Sequence, residues 1–234
     1  MIRLINSLVR KFLILLLGSI HDFKLYLSYL RYRFKTASHG TLYRSITGDR
    51  DLGEKLCIFS LYQPHGVPET VYYQLSKLYE YGYSIYIVSN KNILDQDKQR
   101  LKNIAWRIDE RPNIGRDFGG YKHGVLQVAS YLDDLERLML ANDSVFGPLF
   151  DLPESTKEID AQDNDFWGIN ENLEFGNHIA SYFLVFKPRA FRHEAFIKYW
   201  RSYKEKSSRR HSIKRGEIGL SKCLRKFNLK AGVL

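Results

Sequence analysis

Acidic residues are the scarcer charge in this chain, cysteines number only two, and no apolar run is long. The 26 Asp and Glu face 36 Lys and Arg, which leaves a formal net charge of +10 at pH 7. A surplus of that sign selects polyanionic partners such as nucleic acid, anionic lipid or a nucleoside diphosphate. Cys57 and Cys223 stand far apart without a C-x-x-C neighbour, which excludes a zinc ribbon and gives no sign of a disulfide framework. Whether the two pair is left open, and the reducing cytosol is the default compartment. No G-x-S-x-G elbow occurs, which disfavours a Ser-His-Asp hydrolase, and no Walker lysine motif is present. The basic patch around residues 209–215 belongs to no recognisable nucleic-acid module, so nucleic acid is not an expected partner. No internal repeat or low-complexity tract stands out.

At 234 residues with 44% apolar side chains, the chain fits one large domain with an appendage and can bury a full core. Residues 1–34 read as a helix, with Leu4, Ile5, Leu8, Phe12, Leu15 and Leu16 at helical spacing beside Arg3, Arg10 and Lys11. Its uninterrupted apolar core, residues 12–17, falls far short of the roughly 20 residues a spanning helix needs. The leading expectation is an interfacial helix on the anionic cytoplasmic leaflet; a helix packed on protein and a signal sequence are the alternatives. Residues 36–53 are polar and glycine-punctuated. The expected division is therefore a helical segment and linker over 1–53 and a folded domain over 54–234.

Within that domain, short apolar runs alternate with helical periodicity. Strands are expected at residues 55–61, 84–88, 105–108 and 137–141, with helices at 68–82, 95–103 and 119–132. Later strands at 165–169 and 181–186, helices at 190–203 and 217–227, and a closing strand complete the chain. The pattern predicts an α/β, Rossmann-type, mostly parallel sheet flanked by helices, which receives ligands at the carboxyl ends of its strands. Those ends are polar here: Ser60 and Tyr62, Asn90, and then Asn142, Asp143 and Ser144. Ser60, Tyr62 and Asn90 are thereby expected near a nucleotide's base and ribose.

The turn from Asn113 to Gly120, NIGRDFGG, lies between a strand and a helix. Its glycines, Gly115, Gly119 and Gly120, permit positive φ and close backbone approach, and Arg116 is able to fork onto a diphosphate. Asp117 is read either as part of the anion site or as a simple helix cap. Asn142-Asp143-Ser144 is read either as a site for Mg²⁺ or Mn²⁺ shared with phosphates, or as a strand-to-turn exit. Asp165 and His178 fall in segments expected to flank the crevice, His178 having a structural alternative. Glu217, opening the last long helix, is either a helix-dipole partner or a general base.

In this order and with these gaps, NIGRDFGGYKHG, LANDSVFGP, DFWGI and HIASYFLVFKP resemble the rhamnan synthesis protein F family, bacterial polysaccharide-assembly proteins grouped with GT-A fold glycosyltransferases. The resemblance covers about residues 55–234. It implies transfer of a sugar, rhamnose or a similar one, from a nucleotide-sugar donor to a growing lipid-linked cell-surface glycan such as lipopolysaccharide. The expected location is the cytoplasmic face of the cell membrane, and the expected stereochemistry is inversion. Asn142-Asp143-Ser144 sits where GT-A enzymes carry a D-x-D element for metal and donor diphosphate, so Asp143 is the expected metal ligand, and the usual paired aspartates are absent. Arg215-Gly216-Glu217 resembles the late x-E-D element, which makes Glu217 the expected base with Asp165 as runner-up. Ala180 stands where family members often have Gln. The missing aspartate also feeds a second class of reading, a non-catalytic glycan- or partner-binding protein on a degenerate fold.

Overall fold

The computed structural model describes residues 44–173 and 176–234. The expected amino-terminal helix, and residues 36–43 of the expected linker, lie outside the described residues. In chain order the elements are β1 (Arg44–Thr47), β2 (Lys55–Leu61), α1 (Glu69–Glu80), β3 (Ser84–Ser89), α2 (Asp95–Lys102), β4 (Ala105–Glu110), α3 (Arg116–Gln127), β5 (Arg137–Asn142), α4 (Leu152–Ala161), β6 (Phe166–Gly168), β7 (Glu171–Asn172), β8 (His178–Ile179), β9 (Phe183–Phe186), α5 (Pro188–Phe191), α6 (Glu194–Ser202), α7 (Arg209–His211), α8 (Ile218–Lys226) and β10 (Ala231–Val233). A π-helical stretch, Ser212–Glu217, joins α7 to α8.

Eight strands form one sheet in the order β1-β4-β3-β2-β5-β9-β6-β10, and β7 pairs with β8 in a separate hairpin. The central β4, β3, β2 and β5 are mutually parallel, while β1 and β9 run antiparallel to their neighbours. The fold is thus α/β, with a mixed, mostly parallel sheet. The near-continuous apolar sequence of β2, KLCIFSL, follows from burial on both faces. Leu56 and Ile58 join Tyr86, Val88, Leu138 and Leu140 under Phe118, Tyr121 and Val125 of α3, Trp200 of α6 and Leu220 and Leu224 of α8. Cys57, Phe59 and Leu61 join Ile85, Ile87, Met139 and Ala141 on the other face, under Val71, Leu75 and Leu78 of α1, Leu101 of α2 and Ile159 of α4. Each large apolar side chain buried this way contributes roughly 1.5–3 kcal/mol before conformational entropy is subtracted.

The sheet begins earlier than periodicity indicates. Residues 44–47 carry no apolar pattern, yet they pair as an edge strand with β4, and Ser45 Oγ donates to the buried Asp109 at 2.7 Å. Asp109 also accepts from Tyr86, Arg107 and His123, and these hydrogen bonds outweigh its burial and hold its carboxyl well below the usual range. The turn-rich stretch after β5 contains a helix, α4, begun by Asp151, whose side chain accepts from the Glu154 N–H at 3.3 Å. The single helix expected over 190–203 is two, because His193 ends α5 and caps α6, its Nδ1 accepting from the Ala195 N–H at 3.1 Å.

Candidate active site at the carboxyl edge of the sheet

The ends of β2, β3 and β5 form the floor of a cleft, organised by a line of hydrogen bonds that starts from a buried arginine. Arg111, just past β4, donates from Nη1 to Asn90 Oδ1 at 2.6 Å and from Nη2 to the Ile114 carbonyl at 3.1 Å. Asn90 Nδ2 donates to Ser60 Oγ at 2.9 Å, and Ser60 Oγ donates to Asp117 Oδ1 at 3.3 Å. The glycine turn and the start of α3 are thereby fixed against the strand ends. Arg111 was not among the expected site residues; its available signal was a charge directly after a buried strand.

Gly115 caps α3 in the left-handed region, φ 82°, with no side-chain cap, so the first N–H groups of α3 remain open to an anion. Arg116 is also left-handed, φ 55°. For a non-glycine residue this costs on the order of 1–3 kcal/mol, and such strain concentrates at functional sites. Gly119 and Gly120, expected at the donor, line neither cavity described below: a Cβ on Gly119 would lie 1.9 Å from the Ile114 carbonyl oxygen, and one on Gly120 would lie 2.7 Å from Ser60 Oγ. Their work is to let α3 approach the turn and the strand. Asp117 does not cap the helix either.

Two adjoining cavities share Arg116, Asp117 and Ser144 as walls. The first, about 490 Å³, is completed by Tyr62, Gln63, Asn90, Asn113 and Asp143. Asp143 Oδ2 accepts from the Tyr62 backbone N–H and from Gln63 Nε2, both at 2.8 Å. Burial, followed by the Asp143 charge, raises Asp117 to about 6, with Arg116 and Ser60 opposing. Burial likewise raises Asp143, opposed by the Tyr62 and Gln63 donors. A pair of electrostatically coupled carboxylates is therefore present in space although the motif has one: α3 supplies Asp117 and the end of β5 supplies Asp143. Hard oxygen donors whose negative charge is only partly offset by Arg116, Tyr62 and Gln63 fit Mg²⁺ or Mn²⁺, which is commonly held by one or two carboxylates plus substrate phosphates. Among the described residues no three His, Cys, Asp or Glu converge on a metal position. The Asn113 side-chain oxygen is buried without a hydrogen-bond partner, an acceptor left for a ligand's N–H or O–H.

The second cavity, about 380 Å³, is lined by His178, Ser181, Arg209, Asn172 and Glu217 among others. Glu217 Oε1 accepts from Ser181 Oγ at 2.6 Å and from the Ser181 N–H at 3.3 Å, while Oε2 lies 3.3 Å from His178 Nε2. His178 Nδ1 lies 2.6 Å from the Gly176 carbonyl, which only accepts, so Nδ1 carries a proton. The His178 side chain is 1% exposed and that of Glu217 21%, so Glu217 presents the reactive edge, oriented by the two hydrogen bonds from Ser181. Glu217 raises Asp117 as well, which links the two cavities.

Three expected residues stand elsewhere. Ser60 is fully buried and Asn142 nearly so, and neither lines the cavities; Asn142 Oδ1 accepts from the Ser144 N–H at 3.0 Å and shapes the turn that presents Asp143. Asp165 is not in the cleft at all. It precedes β6, which runs parallel to β5, so it lies at the amino edge of the sheet, opposite the cleft. There it accepts from the Lys230 N–H at 2.6 Å and pairs with Arg189 at 3.2 Å, a structural role that removes it as a candidate base. Gln63, Asn172, Ser181 and Arg209 line the cleft without having been anticipated.

The sequence profile of rhamnan synthesis protein F matches residues 85–233. The chain belongs to the rhamnan synthesis protein F family. A curated relative, the uncharacterized protein y4gN of Sinorhizobium fredii (strain NBRC 101917 / NGR234), is 33% identical over 182 residues, 75% of this chain and 47% of that protein. The chain thus spans about half the length of the curated relative it matches. Among solved structures, the mannosyltransferase Ktr4p from S. cerevisiae aligns with 87% of this chain and 75% of its own at 11% identity and a TM-score of 0.35. The mannosyltransferase PcManGT from Pyrobaculum calidifontis, solved with GDP-Man and Mn²⁺, aligns with 72% of this chain and 54% of its own at 8% identity and a TM-score of 0.38.

Proposed function

We propose that this family member carries a GT-A-type glycosyltransferase domain that uses a nucleotide-sugar donor, rhamnose or a similar sugar being the moiety transferred, and a lipid-linked glycan acceptor of cell-surface polysaccharide synthesis. The observation that carries the reading is the joining of Asp117, Asp143, Arg116 and the uncapped start of α3 in one cavity with Glu217 in the next. The first cavity takes the nucleotide diphosphate. Asn90, Asn113 and Tyr62 meet the base and ribose, and Arg116 with the α3 N–H groups meets the phosphates. Asp117 and Asp143 would hold a divalent cation, whose chemistry when bound is to offset charge on the leaving diphosphate.

The acceptor enters from the second cavity. Glu217 removes the acceptor hydroxyl proton, the oxygen attacks the anomeric carbon from the face opposite the diphosphate, and the bond from that carbon to the phosphate oxygen breaks with the electron pair leaving on the nucleotide. This is an inverting displacement. Ser181 keeps the Glu217 carboxylate aimed at the hydroxyl, joined by His178 when its Nε2 also carries a proton. Arg116 and the helix dipole stabilise the departing charge, usually the largest catalytic contribution.

No helix among the described residues is long and apolar enough to cross a membrane. A peripheral position on the inner face of the cell membrane is the reading that suits a lipid-linked acceptor and the basic, amphipathic sequence of residues 1–34. A panel of nucleotide sugars scored for thermal shift with and without Mn²⁺, followed by turnover of the best binder, tests the proposal. Donor binding without turnover on any acceptor favours the non-catalytic alternative; no donor binding at all removes both cavities from consideration as a transferase site.

A further inference from the structure

The helical segment that carries Glu217 has a second face. Residues 209, 212, 213 and 217 turn toward the cleft, whereas His211, Arg215 and Gly219, one turn apart from each other, line a separate cavity of about 470 Å³ closed by Tyr199 and Tyr203 of the α6 end and by Lys204 and Lys206. No carboxylate among the described residues lines it. Among the described residues, Lys204, Lys206 and Arg215 form no salt bridge, and Glu205, which stands between the two lysines, pairs with Arg111 at 3.3 Å. The cations act on one point: burial, then the charges of Lys206 and Arg215, hold His211 below the ordinary histidine value, although the Lys204 carbonyl accepts its Nε2–H at 2.6 Å. The Tyr203 hydroxyl, close to Ser212 but without a hydrogen bond of acceptable geometry, is buried in the wall.

We infer that this cavity is a second anion site, built for a phosphate or diphosphate group and separated from the cleft by the helical segment 209–219. Like charges gathered around a concave surface are unfavourable without a counter-ion, and a phosphate offers several acceptor oxygens to Lys204, Lys206, Arg215 and the unpartnered Tyr203 hydroxyl. The source of the phosphate rests on the transferase reading, where it is either the diphosphate of the acceptor's lipid carrier or a headgroup of anionic phospholipid. The anion binding itself does not depend on that reading.

The test is calorimetric titration of the full-length protein with inorganic pyrophosphate in EDTA. Wild type is expected to show two classes of site. The Lys204→Ala/Lys206→Ala double variant and, separately, Arg215→Gln are expected to lose one class or weaken it by roughly tenfold or more, as for loss of hydrogen bonds to a charged group. Arg116→Ala is expected to lose the other class and keep this one. Wild-type stoichiometry and affinity in both cavity variants, each folded by circular dichroism, would overturn the inference. Phosphatidylcholine vesicles with and without phosphatidylglycerol separate the sources. Suppression of the Lys204/Lys206-dependent pyrophosphate class by phosphatidylglycerol vesicles assigns a headgroup, and persistence of that class on those vesicles assigns a carrier diphosphate, a readout that vesicle binding through residues 1–35 does not move. A protein that binds no nucleotide sugar yet keeps this pyrophosphate site refutes the transferase reading and leaves the anion site standing.

Discussion

Replacing Asp117 by Asn should stabilise the protein, and by an amount that depends on pH. Its carboxyl is raised to about 6 from an ordinary 3.8 because burial and the Asp143 charge disfavour ionisation. A raised acid binds its proton more tightly in the folded state than in the unfolded one, so its ionisation opposes folding. The penalty is absent below the unfolded value, grows as pH rises from about 4 to 6, and is constant above. The two values differ by about two pH units, at about 1.4 kcal/mol each, which puts the full penalty at about 3 kcal/mol as an upper bound. At pH 4.5 only about 1 kcal/mol has developed. Asn keeps an acceptor for Ser60 Oγ and carries no charge. The stability difference between Asp117→Asn and wild type, read from urea unfolding, should therefore widen by about 2 kcal/mol from pH 4.5 to pH 8. Asp143→Asn should shrink that widening without abolishing it, because burial is the larger cause and remains. Parallel stability profiles for wild type and Asp117→Asn would refute the reasoning, since they would mean that Asp117 ionises in the cleft at no cost. A penalty of this size at neutral pH is what a site tuned for a cationic or proton-bearing ligand retains, because ligand binding offsets it.

Glu217→Gln keeps the shape and removes the proton acceptor, so steady-state turnover should fall about 10²–10⁴-fold while donor affinity by calorimetry stays near wild type; Asp165→Ala, by contrast, should leave turnover intact and cost about 1–3 kcal/mol of stability by leaving the Lys230 N–H unsatisfied. Arg116→Ala should weaken nucleotide-sugar binding by about 1.5–3 kcal/mol, and an unchanged dissociation constant in a folded variant removes Arg116 from the donor site. Deleting residues 1–35 should abolish flotation with anionic vesicles, and a truncated protein that still floats would move the membrane contact into the remaining chain.

The parallel half of the sheet was legible because apolar runs of β2, β3 and β5 end in Ser60, Asn90 and Asn142, and a parallel strand places its carboxyl end at the crevice. The glycine turn was legible for the same local reason. What local pattern does not carry is which distant side chains meet. Asp117 and Asp143 belong to different elements, and only the close approach of α3 permitted by Gly119 and Gly120 brings the first toward the second. A motif search for adjacent aspartates misses a pair assembled this way. The edge strand β1 was invisible because its four residues carry no apolar alternation and its partner, β4, lies some sixty residues away, joined to it by backbone pairing and by Ser45 on Asp109.

Strand direction explains the remaining errors and successes together. Asp165 precedes its strand, and because β6 runs parallel to β5 the residue before it belongs to the far edge; its polarity signalled an entry into the sheet and was read as a crevice. Strand β9 runs the other way, so the residues before it, not after it, reach the cleft, and Ser181 arrives beside Glu217 with His178 two residues before Ala180. No periodicity distinguishes an antiparallel insertion of four residues from a parallel one. The last placement depends on backbone geometry. Glu217 closes a π-helical stretch, a wider turn of the kind that recurs at functional sites, and Gly216 next to it is packed so tightly that a Cβ would lie 2.8 Å from the Phe118 ring. Phe118 is anchored in the same α3 that carries Asp117, so the segment bearing the proposed base and the helix bearing the proposed metal ligand are registered against each other through one glycine. That contact, absent from any motif, sets the separation between the two cavities across which the sugar is proposed to move.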